Sequence, residues 1–468
     1  MALHAFLERA IWPRPHNLQQ QREVGIMKRM LGIYRSWLLM TAALAGSLSL
    51  SAQEAHPRPA SDFLDPRGGV TEEEFVTRAL ASNPTLLAER QQIAMAKGDV
   101  TQARLRQNPS LTLGGLKEVN GGDNAINVKG SLPLELFGRR ARRTEVAENK
   151  EEATQQGVAD HERLLTGEVR MRFGQALAAI RDLTFVEQLL QVNRDFLRLM
   201  EDRVQEGAVP ALDADETRVE ANRVETLRID YQAKAEVALL ALKETVGVDP
   251  EEPIRLKGAL ELAPQAYDRK QLLQLAMDHR PDRAFQRANE ELANAELRSD
   301  RAKGKPDASV FGGYERPDSG FSQRAFDAAG NLAPIRRTFN HVVFGLDINL
   351  PVFNRNQGAV VADTAAIQAA RSQIAAVDLN LRHEVAQNLI RFNGAQARVT
   401  AYRSGVRDQA AHNLDVVRQT YSYGRTTLLD VIAEQRRYID IETGYTEILL
   451  DAYAAHIALE QAVGTNLP

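Results

Sequence analysis

Two carboxylates hold matching places in this chain. Asp213 closes the run Gly207-Ala-Val-Pro-Ala-Leu-Asp213, and Asp430 closes Gly424-Arg-Thr-Thr-Leu-Leu-Asp430. The interval from Gly207 to Gly424 equals the interval from Asp213 to Asp430. A carboxylate in the first turn of a helix favours the dipole and can accept amide hydrogens there. Gly207 and Gly424 read as left-handed stops of the preceding helices, and Thr426 and Thr427 as caps of the following one. Tyr421 and Arg425 flank the second run. No other set of residues offers chemistry. The chain has no cysteine, its nine histidines are scattered without ligand spacing, and no Gly-rich phosphate loop or nucleophilic triad is present. No enzyme, no cofactor and no metal site is expected. A lipid carried on an N-terminal cysteine is excluded with the cysteines.

The elements that hold these runs are long. Neither the stretch from Arg139 to Glu206 nor that from Gln357 to Tyr423 contains a proline. At ~1.5 Å per residue each reads as a helix about 100 Å long. In the first, Leu165, Val169, Phe173, Leu177 and Ile180 recur three or four apart as a helical stripe. Each run is followed by a helix of about 36 residues, which would stack end to end on one of about 24 to match the long one. These shorter helices close on Ala241-Leu-Lys-Glu-Thr-Val-Gly247 and Ala458-Leu-Glu-Gln-Ala-Val-Gly464, at the same offset as the glycines and aspartates. The two Gly-to-Asp runs are therefore the tips of two helical hairpins in a duplicated chain.

Proline punctuation repeats as well. Asn83-Pro84 and Asn108-Pro109 in the first half answer Arg280-Pro281 and Lys305-Pro306 in the second, both pairs at one common interval. A strand pair follows each second proline, over about 110–136 and 307–350. In the later strand Val342, Phe344, Leu346, Ile348 and Leu350 alternate with Val343, Gly345, Asp347 and Asn349, one apolar face and one polar. Strands of about ten residues with this alternation suit a membrane barrel, and also half-buried sheets of soluble proteins. Pro133 and Pro351 mark the strand–helix junctions. Arg139, Arg140, Arg142 and Arg143 then open a helix where cations oppose the dipole. A solvated charge run is the leading expectation, with carboxylates or lipid phosphates as alternative partners. Glu315 to Thr338, polar and broken by Pro317, Gly320, Gly330 and Pro334, reads as a long loop.

Ahead of the repeats, Met27-Lys-Arg-Met30 and the apolar run Trp37 to Leu50 read as a signal peptide cleaved near Ala52. Residues 1–26 form an upstream extension. The expected divisions are thus 1–52, a linker over 53–70, a first repeat over 71–264 and a second over 265–468. The net charge of −4 gives no electrostatic reason to expect nucleic acid.

The order and duplication of Asn83-Pro84, Asn108-Pro109, Leu132-Pro133, Leu350-Pro351, the two tips and the two Ala-Leu-x3-Val-Gly ends resemble the outer membrane efflux protein family, that of the TolC-like outer membrane factors. The resemblance covers about residues 71–464. Glu135-Leu-Phe-Gly-Arg139 resembles its cobalt-zinc-cadmium, or heavy-metal, branch. The resemblance implies a fold that is mainly α with a small membrane β-barrel. Three protomers, each with four strands and its long helices, would form a twelve-stranded barrel and a twelve-helix periplasmic tunnel. It implies the exit duct of a tripartite efflux pump, with a periplasmic adaptor and an inner-membrane transporter of the resistance-nodulation-division type as partners. It places the protein in the outer membrane, among its lipids. Asp213 and Asp430 match the family's tip aspartates, and in a trimer they would ring the pore entrance, where carboxylates favour cations. Ala433 stands where a second ring would need an aspartate. Tyr421 matches a tyrosine that holds the resting tunnel shut, and that tyrosine's arginine partner falls at Thr426, with Arg425 beside it as a substitute. Rival readings are a periplasmic adaptor, which would carry one hairpin in Gly-rich β-domains, a structural coiled coil, and a helical lyase.

Overall fold

The computed structural model describes residues 58–467. The expected signal peptide, the extension before it and residues 53–57 of the linker lie outside the described residues. Residues 58–70 do not behave as a linker. Ala60 and Phe63 are buried, and the amides of Asp65 and Val70 donate to Leu256 O and Arg255 O at 2.9 Å each. The Pro- and Asp-rich composition suggested a spacer; one buried phenylalanine and a strand-like contact with Leu256 fix it instead.

Thr71 opens the first helix, α1 (Glu72–Ser82), through a capping box with Glu74. Asn83 accepts from Leu86 N–H at 3.0 Å and starts α2 (Pro84–Arg104), with proline where its missing donor costs nothing. Strands β1 (Ser110–Lys117) and β2 (Asn124–Pro133) follow, then a 3-10 turn, then α3 (Arg139–Gln205), whose 67 residues run unbroken for about 100 Å. Helix α4 (Ala211–Val246) returns along it for 36 residues. The second repeat runs α5 (Arg269–His279), α6 (Pro281–Lys303), β3 (Asp307–Phe326), β4 (Leu332–Thr338), β5 (His341–Asn349) and α7 (Gln357–Tyr402). It ends with α8 (Asp408–Ser422) and the 36-residue α9 (Leu428–Val463).

Two features depart from expectation. The second long helix is interrupted: Arg403–Arg407 form a π-helical turn between α7 and α8. Such a turn accommodates an extra residue by widening the helix. The segment 315–338 is not a loop. It extends β3 and folds back as β4, paired from Asp318↔Thr338 to Phe326↔Leu332. At Pro317 the carbonyl still accepts Phe339 N–H at 2.9 Å, and the β3–β4 pairing begins one residue on, at Asp318↔Thr338.

The other four strands make one antiparallel sheet in the order β1-β2-β3-β5. Its register sorts the side chains by face. Leu113, Val128, Tyr314 and Val342 stand in one row across the sheet, and Leu132, Val310 and Leu346 in another. Thr112, Lys129 and Val343 lie on the opposite face, where Lys129 Nζ is 3.8 Å from Asp347 Oδ2. The apolar face is bare: Leu113 is 71% exposed and Phe344 82%. Among the described residues nothing covers it, and β1 and β5 leave both edges of the sheet unpaired.

The apolar core lies among the helices. Phe75, Phe173, Ile180, Leu183, Leu242 and Leu256 are at most 2% exposed and join α1, α3 and α4 to the segment around Leu256. Each such side chain contributes about 2 kcal/mol by leaving water. Gly174 lets α3 and α9 approach, since a Cβ there would sit 2.4 Å from the Tyr453 ring.

Candidate functional site

The two tips meet in space. Tyr421, in the last turn of α8, donates its hydroxyl to Asp213 Oδ2 at 3.2 Å and lies 3.5 Å from Met200 Sδ. Its ring meets Phe196 edge-on with centroids 6.1 Å apart. Burial first, and then the negative charge of Asp213, push the tyrosine's pKa above its ordinary value. Farther along the hairpins, Gln435 donates to Asn193 at 3.0 Å and Arg436 to Glu220 at 2.9 Å. Side chains from opposite halves of the sequence thus join the two hairpins.

The turns themselves follow from the glycines. Gly207 and Gly424 take φ of +70° and +68°, in open surroundings where any Cβ would have room but the wrong backbone. Gly424 N–H donates to Tyr421 O at 2.8 Å and Arg425 N–H to Thr420 O at 3.0 Å, which closes α8. Beyond that point the tips differ. Thr427 caps α9 in a full capping box: its amide and hydroxyl donate to Asp430 Oδ2 at 2.9 and 2.7 Å, and its hydroxyl accepts Asp430 N–H at 3.3 Å. The hydroxyl and the amide of Thr427 hold the Asp430 carboxyl below the usual range. At the first tip the cap position is Pro210, which has no side-chain acceptor, so Asp213 is left to Tyr421. Thr426 Oγ1 lies 3.4 Å from Thr420 Oγ1 instead of capping. The Arg425 side chain is exposed and makes no ion pair among the described residues. Nor does it reach Tyr421.

The arginines at the head of α3 are not a solvated run. Arg139 pairs with Asp307 at 3.0 Å and donates to Lys305 O at 2.7 Å; Arg143 pairs with Glu135 at 2.5 Å and donates to Leu105 O at 2.9 Å. Arg142 pairs with Glu145 at 2.7 Å. Of the four, Arg140 alone lacks a carboxylate among the described residues. The chain turns sharply here: Glu135 and Phe137 both take left-handed φ, 49° and 57°. Pro133 ends β2 opposite Ser309, and Pro351 follows β5. Arg139 and Arg143 therefore brace the strand–helix junction, while Arg142 pairs within its own helix.

Sequence reasoning missed one polar centre. Beside the π turn, Glu442 is buried and accepts from Arg407 at 2.7 Å and Tyr438 at 3.0 Å, with Arg181 3.8 Å away. These residues line a cavity of about 360 Å³ that reaches Leu64 and Gly258. No local spacing announces it, because Arg181 and Arg407 come from other segments than Tyr438 and Glu442.

The sequence model described as outer membrane efflux protein matches residues 75–248 and 272–465. The cobalt-zinc-cadmium resistance protein CzcC of Cupriavidus metallidurans is 23% identical over 436 residues, 93% of this chain and 98% of that one. Among solved structures, CusC gives a TM-score of 0.67 at 19% identity, over 84% of this chain and 92% of its own. The open-state MtrE channel of Neisseria gonorrhoeae gives 0.66 at 18% identity, over 87% and 93%. At such identities the solved structures speak for the fold.

Proposed function

This chain belongs to the outer membrane efflux protein family, and from that premise we propose that it is the exit duct of a tripartite pump. The observation that carries the reading is the sheet, with its bare apolar face and two unpaired edges. In hydrocarbon every backbone donor and acceptor needs a partner, so a spanning sheet must close on itself. Four strands are too few to close; β1 of one protomer pairing with β5 of the next supplies the closure, and the family's trimer gives a barrel of twelve. The polar face then lines the lumen, and the helices continue the duct through the periplasm. No helix among the described residues is long and apolar enough to cross a membrane; the strands do the crossing.

The tips form the periplasmic mouth, where the adaptor and an inner-membrane transporter of the resistance-nodulation-division type dock. Asp213 and Asp430 supply its carboxylates and Tyr421 holds the hairpins together at rest. Arg425 is free to meet a neighbouring protomer. The name of the similar cobalt-zinc-cadmium resistance protein supports heavy-metal cations as cargo, and an acidic mouth suits them. The work is conduction, not catalysis.

Cysteine crosslinking tests closure directly, because the chain has no cysteine of its own. Pairs placed along β1 and β5, such as Thr112→Cys with Val343→Cys, should give covalent trimers on oxidation in outer-membrane fractions. Monomers at every register would refute the barrel. Deleting the gene should sensitise cells to cobalt, zinc or cadmium; unchanged sensitivity would remove the metal assignment and leave the duct.

A further inference from the structure

All four crossings between sheet and helices lie at one end of the sheet, as the pairs Ser110↔Ser131, Ser309↔Pro133 and Asp307↔Asn349 require. Five cations there, Arg106, Arg140, Arg301, Lys305 and Arg355, have no carboxylate partner among the described residues. The four carboxylates of the same crossings are all taken: Glu135 by Arg143, Glu145 by Arg142, Asp300 by Lys303 and Asp307 by Arg139. The unpaired Glu296 and Asp363 lie about two turns farther down α6 and α7. The end of the sheet is therefore ringed by uncompensated positive charge.

Apolar side chains continue past the last paired residues at the same place. Leu134 N–H still donates to Ala308 O at 2.9 Å, which extends the apolar row. Beyond it Phe137 is 56% and Phe353 92% exposed. Phe137 stands out because its backbone is left-handed, a conformation disfavoured for any residue with a side chain. Lys305 Nζ lies 5.4 Å from the centre of its ring. Aromatic rings beside flexible cations, at the rim of an apolar band, are the chemistry of a membrane–water boundary.

We propose that this collar binds the phosphate headgroups of anionic phospholipids in the periplasmic leaflet of the outer membrane, and so fixes the depth of the barrel. The proposal rests on the reading of the bare sheet face as lipid-facing. It adds a ligand class and a set of residues: Arg140 and Arg355 at the phosphates, and Phe137 and Phe353 among the first methylenes. Continuity with the apolar face favours lipid over any soluble polyanion, since a soluble partner leaves the two phenylalanines in water.

The tryptophans of the chain, Trp12 and Trp37, both precede the expected cleavage point. Phe353→Trp therefore gives the mature protein a single indole at the collar. The cleaved, mature protein is reconstituted in phosphatidylcholine bilayers containing dilute phosphatidylglycerol, with bromine on one lipid or the other. Brominated phosphatidylglycerol should quench well beyond its share of the bilayer. Arg140→Gln and Arg355→Gln should each lower that enrichment about fivefold, as loss of one surface cation does, and added salt should lower it too. Trimer elution serves as the folding control. Equal quenching by both lipids, or enrichment indifferent to the two substitutions, would overturn the proposal and leave the barrel. Enrichment removed by a soluble muropeptide would overturn it in favour of the cell wall. An intact trimer quenched by neither lipid would withdraw the lipid-facing reading as well.

Discussion

The two hairpins are built on one plan and differ in how they use the same residues. Each has a left-handed glycine at its tip and, six positions later, an aspartate in the first turn of a 36-residue helix. In the second hairpin Thr427 precedes Asp430 by three positions and the pair closes a capping box. In the first the same position is Pro210, and Asp213 reaches across to Tyr421. Farther up, Glu442 is buried beneath Arg407, while Glu225, its counterpart in the first repeat, is itself partly exposed and shared between the exposed Arg194 and the buried Arg228. The first long helix is continuous and the second carries a π turn beside Glu442. Duplication preserved the frame, which backbone and glycine chemistry dictate. The polar side chains diverged, and they decide which hairpin is self-contained and which holds the other.

The largest effect expected from this difference is at the buried acid. Glu442→Ala strips Arg407 of its hydrogen-bonded carboxylate and should destabilise the detergent-solubilised protein by about 3 kcal/mol, the low end for a broken buried pair because Arg407 remains partly exposed. Glu225→Ala should cost less, about 1 kcal/mol, because Glu225 is partly exposed and the buried Arg228 keeps Gln232 as a partner. Equal shifts in their unfolding midpoints would erase the contrast. Next comes the cap: Thr427→Ala should cost about 1 kcal/mol, whereas Pro210→Thr should give the first tip the box it lacks. The converse variant should also draw Asp213 away from Tyr421, visible as faster hydrogen exchange around residues 196–213. Tyr421→Phe should cost about 1 kcal/mol or less, the worth of one hydrogen bond, and should loosen both tips while Thr427→Ala loosens one.

Acid sharpens the contrast further. Asp430 has a depressed pKa, so its share of stability is present above the usual aspartate range and is lost as pH falls through the depressed value. Tyr421 has a raised pKa, so the Tyr421 hydroxyl stays protonated until pH rises past its raised value. Exchange protection at both tips should therefore be flat from about pH 5 to 8, within the window set by those two shifts. A step inside it would show that another group controls the tips.

Much of this architecture is readable from residues. Proline-free runs, the constant offset between the halves and the alternation from Val342 to Leu350 give the rods, the repeat and the sheet, because they reflect local backbone preferences and periodicity. The capping of α9 by Thr427 was equally local. The Tyr421–Asp213 bond was not, since only packing of the two hairpins brings such distant positions together. The π turn had no signal in Arg403-Ser-Gly-Val-Arg407, because its stability comes from Glu442 and Tyr445 on another helix. The arginines of α3 misled in the same way, as their partners Asp307 and Glu135 lie across the junction. The β3–β4 hairpin was hidden by prolines and glycines that this register happens to tolerate.

Single-channel recording in a planar bilayer bears most directly on whether this protein is a duct with an acidic mouth. In a salt gradient the purified protein should conduct with a reversal potential on the cation side. Asp213→Asn combined with Asp430→Asn, which keeps the hydrogen-bonding shape and removes the charge, should move that potential towards zero. A protein that inserts but does not conduct, or a reversal potential untouched by the double substitution, would contradict the account.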